Sequence, residues 1–145
     1  MTPELMFQIC TYAVLPGWAL LALAPRWRLT QLLVHAIWIP SLLALAYIWA
    51  ALAGPGAPDG AGFGSLEAVI LLFSEPHLML AGWIHFLAFD LFIGAWQVRD
   101  AARHDINHWF LLPCLALTLL FGPTGLLLYF GLRFVLRRST AVAES

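Results

Sequence analysis

The run HLMLAGWIHFLAFDLFIGAWQ, residues 77–97, decides the fold. Its apolar residues are too continuous for a half-exposed soluble helix. A helix of about 20 such residues matches a hydrocarbon core roughly 30 Å thick. Histidines aside, Asp90 is the one ionisable side chain in it, and it sits near the middle. The run reads as a membrane span.

The rest of the chain agrees. Apolar residues make up 62% of the 145, charged residues only 10%, and mean hydropathy is +0.86. Soluble domains carry about 25% charged residues, so this chain lacks the polar groups to clothe a water-facing surface. Net charge is −1, and all seven basic residues are arginines without a basic run. No nucleic-acid partner is therefore expected. Cys10 and Cys114 both fall in apolar segments, as packing residues rather than a disulfide framework. The opening Met1-Thr2-Pro3-Glu4 has no basic region, so no cleaved leader is expected.

Working outward from residues 77–97, the sequence predicts an all-α, integral membrane four-helix bundle forming a single transmembrane domain, residues 1–145. The expected spans are about 5–24, 31–53, 77–98 and 110–136. The stretch Gly54-Pro55-Gly56-Ala57-Pro58-Asp59-Gly60 ends the second span, because it cannot continue a helix. Ser65–Phe73 is too short to cross and reads as an interfacial or re-entrant helix before the third span. Pro16, Pro40 and Pro123 lie inside spans, where a freed carbonyl must find a partner other than lipid; each is expected to kink its helix. Four crossings would leave both termini on one side. The arginines then give no orientation: Arg26, Arg28, Arg99 and Arg103 flank one side, Arg133, Arg137 and Arg138 the other. Trp27 and Trp109 read as interfacial anchors.

Polar groups inside the spans are the functional candidates. An aspartate at a helix centre costs about 2.5–3.5 kcal/mol on insertion scales and has to face the protein interior or water. Asp90 is thus the first candidate, against the bland alternative of a helix-locking carboxyl. Trp83, Asp90 and Gln97 are seven apart on one stripe, with Gly94 one turn beyond Asp90. His85 lies about 140° around the helix from Asp90, so the two converge on one small target only if the helix is distorted. His35 in the second span could meet either across the bundle. Glu75 and His77 flank Pro76 at the opposite membrane face, where they would line a mouth. Asp100, His104 and His108 would fall on one face if that segment were helical, which is metal-ligand spacing. Three residues are short of a first shell, and no metal is expected.

The motifs WIH (83–85), FDLFIG (89–94) and FGPTGLLLY (121–129), with Asp100, His108 and Pro113 among them, resemble the abscisic-acid-deficient-4-like family of small membrane proteins. The resemblance covers about Ile70 to Arg133; the first two spans match in hydropathy and position. It implies a carotenoid-type substrate and, as in the plant neoxanthin synthase of that family, a redox-neutral opening of an epoxide coupled to allene formation. Such chemistry needs an acid at the departing oxygen and a base at carbon, roles suited to Asp90 and His85, without a cofactor. His35, His77, Trp83, Gly94, Gln97 and Pro123 are the expected ligand contacts. A short chain without a plastid extension points to a bacterial inner membrane, where the isoprenoid differs or is only bound. The expected partners are an apolar carotenoid or isoprenoid, the bilayer and a second copy of the chain. Three readings follow: a carotenoid or isoprenoid isomerase, a non-catalytic lipid-binding or helper protein, and a transporter assembled around Asp90.

Overall fold

The computed structural model describes residues 2–36 and 38–137, and among them every regular element is helical. In chain order these are α1 (Pro3–Leu23), α2 (Arg28–Leu33), α3 (Trp38–Ala53), α4 (Leu66–Leu72), α5 (Pro76–Arg103), α6 (His108–Phe121) and α7 (Pro123–Arg137). The class expected from the sequence is the class observed. Three stretches are long and apolar enough to cross a membrane: Pro3–Leu23, Arg28–Ala53 and Pro76–Arg103. Their outward faces stay apolar, as in the α3 stripe Leu42, Leu45, Ile48 and Leu52, each more than half exposed. Water would penalise such a surface; lipid does not.

The chain forms two compact units. The first comprises Met1–Pro16 with Ala36–Phe89. Here Ser65 caps α4 by accepting from the Ala68 N–H at 3.2 Å, and the seven residues of α4 are too few to cross. Glu75 caps α5: its carboxylate accepts from the Leu78 N–H at 2.8 Å and lies 3.1 Å from His77 Nδ1. Pro76 takes the first helical position, where its missing N–H costs nothing. Burial works against the ionised Glu75, but those hydrogen bonds outweigh it and hold its pKa below the usual glutamate range.

The second unit comprises Gly17–His35 with Asp90–Ser145. Along the chain, two expected helices differ in detail. The stretch expected as the second span carries two helices: α2 ends at Leu33 and α3 begins at Trp38. Pro40, in the first turn of α3, has no N–H and clashes with a carbonyl four residues back, so the predicted kink becomes a break. Pro16, by contrast, is carried within an unbroken α1.

The larger difference concerns residues 110–136, which the structure divides into two helices, α6 and α7. Gly122 adopts φ +42° and ψ −96°, a conformation helix residues cannot hold, and Pro123 starts α7 immediately after it. The chain then reverses. A Cβ built on Gly125 would stand 2.1 Å from Thr118 N and 2.5 Å from the Cys114 carbonyl oxygen, so only glycine lets the two helices touch there. At the far end the Arg137 guanidinium donates to the Asp105 carbonyl, just before α6 begins. The segment is therefore an antiparallel hairpin whose arms, at 1.5 Å per residue, are about 21 Å long. Neither arm matches a hydrocarbon core roughly 30 Å thick.

Candidate functional site

Four polar side chains of the second half of α5 and the residue after it lie along one stripe, and the hairpin packs on it. Asp90, Gln97, Asp100 and His104 fall within about 80° of one another on a 3.6-residue helix. Asp90 meets the tip: a Cβ on Gly122 would be 2.9 Å from its Oδ1. One step along, Gln97 is fully buried and its amide lies 3.1 Å from Thr118 Oγ1 on α6. The Thr118 hydroxyl has one proton, and the Cys114 carbonyl at 2.8 Å is the nearer acceptor. The Gln97 contact is then better made with the amide NH2 as donor.

The open end of the hairpin is locked by charge. Tyr129 O–H donates to Asp100 Oδ2, and Arg133 Nη1 stands 3.2 Å from the same oxygen. Arg133 Nη2 lies 3.0 Å from His104 Nε2. Guanidinium only donates, so His104 Nε2 accepts and Nδ1 carries the proton, which it gives to the Asp100 carbonyl at 2.9 Å. Asp100 and Arg133 are each about 3% exposed or less. The span from Asp90 to His104 rises about 21 Å, the length of a hairpin arm, which is why tip and open end both find polar partners on α5.

Asp100, His104 and His108 do not form one face. α5 stops at Arg103, Asp105 takes φ +47°, and His108 opens α6 with its Nε2 donating to the Ala22 carbonyl at 2.8 Å. Both His104 ring nitrogens are engaged. Among the described residues no group of three metal-ligating side chains occurs.

The other candidates are dispersed. Because α5 is one unbroken helix, His85 keeps its offset from Asp90; it is exposed and stacked on Phe89, ring centroids 4.4 Å apart. His35 Nδ1 lies 3.0 Å from Arg99 Nη1. His77 is held by Glu75 and packs beneath Gly54. Trp83 Nε1 donates to Thr11 Oγ1 at 2.9 Å, and its ring helps line an apolar groove of about 550 Å³ with Phe7, Tyr12 and Met79. Gly94 accommodates the buried Trp18 ring, where a Cβ would come within 2.7 Å. Gly94 and Trp18 thus make a helix contact.

Two buried atoms on the stripe have no hydrogen-bond partner among the described residues: Asp90 Oδ2 and one polar atom of the Gln97 amide. Sequence reading found both residues. It missed Tyr129 and Arg133, whose role arises from chain reversal; the signal available was the Gly122-Pro123 pair, which marks a turn as readily as a kink.

Comparison with known proteins adds a family. The family model described as ABA DEFICIENT 4-like matches residues 5–129. No curated protein and no solved structure matches the chain.

Proposed function

The chain belongs to the ABA DEFICIENT 4-like family, and from that premise we propose that it takes a carotenoid or related isoprenoid at the hairpin tip and isomerises it with Asp90. The supporting observation is the buried Asp90 Oδ2 that no described residue satisfies. A carboxyl kept only to lock helices would have its hydrogen bonds made, since an unmet buried acceptor costs about 1–3 kcal/mol. An open one is available to a ligand oxygen or a carbon-bound proton. The Gln97 amide, about 10 Å along the same face, offers a second polar contact, and Pro123 fixes the turn beside the carboxyl.

His85 faces another direction, so one carboxyl serves both steps of a redox-neutral rearrangement. The neutral acid protonates the epoxide oxygen as the C–O bond opens. The resulting carboxylate then removes the proton from the adjacent carbon as the new C=C bond forms, which restores the acid. No electrons are gained or lost. In this scheme α1, the α2–α3 stretch and α5 cross a bacterial inner membrane, and the hairpin re-enters it.

The test is turnover of an epoxy-carotenoid by purified protein. Asp90→Asn keeps the size and most hydrogen bonds but cannot exchange the proton; it should fold normally and lose turnover. Asp90→Leu should lose both turnover and ligand. Full turnover by Asp90→Asn would reject the proposal. The His85 offset favours a second reading, a binder without chemistry, under which pigment co-purifies with the wild type and is never converted.

A further inference from the structure

At the opposite end of the second unit from Asp90 lies a cleft of about 910 Å³. Arg26, Arg99 and Arg103 line it together with Gln31, His35 and Asn107. Among the described residues that line it, Asp105 is the one acidic side chain. We propose that this cleft binds the phosphate headgroup of an anionic membrane lipid. The inference is independent of any chemistry at Asp90.

Four observations carry it. The first is the charge: three guanidinium groups border one cavity, and guanidinium is the side chain whose fork matches phosphate oxygens. The second is a donor in the wall. Arg99 can only donate to His35 Nδ1, so His35 holds its proton on Nε2. That N–H is buried and has no acceptor among the described residues. A bound oxyanion supplies what the site lacks.

The third observation is position. The cleft is formed where α1 ends, α2 begins, α5 ends and α6 begins. Trp27 and Trp109, 56% and 76% exposed, stand at its rim, the placement of aromatic residues at a membrane surface. Leu23, Val98 and Ile106 continue the wall with apolar surface. A free phosphate needs the arginines alone; a lipid uses both the arginines and the apolar wall. The fourth is segregation of charge. The six described arginines all belong to the second unit, whereas the first contains no lysine or arginine at all. An arginine-rich end faces the cytoplasmic leaflet by the positive-inside rule, and that leaflet presents anionic headgroups.

The experiment is native mass spectrometry of the full chain released from detergent and titrated with phosphatidylglycerol, diacylglycerol, farnesyl phosphate or inorganic phosphate. Phosphatidylglycerol should bind far more tightly than diacylglycerol or inorganic phosphate. Comparable binding of farnesyl phosphate would assign the site to prenyl phosphates as well, the same headgroup chemistry on another tail. Removing one arginine should weaken phosphatidylglycerol by about tenfold, as expected for a charge-assisted hydrogen bond. Arg26→Gln, at an exposed position, tests this with little risk to folding. Arg99→Lys keeps the charge and loses the fork, and should fall between wild type and Arg99→Gln. Arg28→Gln, outside the cleft, should change nothing. Wild-type affinity in both Arg26→Gln and Arg99→Gln overturns the proposal. So does equal affinity for phosphatidylglycerol and diacylglycerol, or for phosphatidylglycerol and inorganic phosphate.

Discussion

The carboxylate of Asp90 rests on the bare Cα of Gly122, close enough that a Cβ there would be 2.9 Å from Oδ1 and 3.2 Å from Oδ2. The mid-span acid and the turn of the hairpin are therefore one structural feature. Gly122→Ala should damage both. A side chain at φ +42° and ψ −96° is strained by about 1–3 kcal/mol, and the added methyl also displaces the carboxylate. Thermal unfolding in detergent should record the loss. In a double-mutant cycle with Asp90→Ala, a coupling of about 0.5 kcal/mol or more is expected because the two sites touch. Strict additivity would mean that the contact carries no energy.

The Asp100–Arg133 pair predicts an asymmetric mutational response. Removing one partner of a buried ion pair costs about 3–5 kcal/mol. Arg133→Met and Asp100→Leu should each destabilise the protein severely. Combined with Tyr129→Phe, which removes the hydroxyl bonded to Asp100, the apolar set should recover much of the loss. Equal damage in the single and triple variants would show that the pair does not act as a unit.

Glu75 gives a pH dependence whose sign is fixed by its hydrogen bonds. Its folded pKa is depressed, so its stabilising contribution is present above the ordinary glutamate value, about 4.5, and is lost as pH falls through the lower folded value. Between about pH 5 and about pH 3 the melting temperature of the wild type should fall more steeply than that of Glu75→Gln. Parallel curves would remove Glu75 as the cap of α5.

The hairpin also bears on the topology proposed above. If the three long apolar stretches cross as proposed, the count is odd, and a hairpin leaves by the face it enters. Fusions at Met1 and Ser145 should therefore report opposite sides, with Ser145 cytoplasmic. Arg133 and Arg137 reach His104 and Asp105, so they lie beside the end of α5 that carries Arg99 and Arg103. Reporters on the same side would restore a fourth crossing.

The sequence by itself determined the helical class, the membrane environment, α5 as a long helix and Asp90 as the polar group that needs explaining. These follow from local quantities: apolar run length, the absence of surface charge and the cost of a carboxylate in lipid. It also located the break at Gly122-Pro123. Only the tertiary structure decided what that break does. A proline after glycine is compatible with a kinked crossing or with a reversal, and the choice depends on whether the following helix finds a better partner beyond the turn or behind it. Gly125 against Thr118, and Tyr129 and Arg133 against Asp100, make the backward packing the better one. Those contacts join residues 7 to 33 positions apart, and no periodicity along a single helix encodes them.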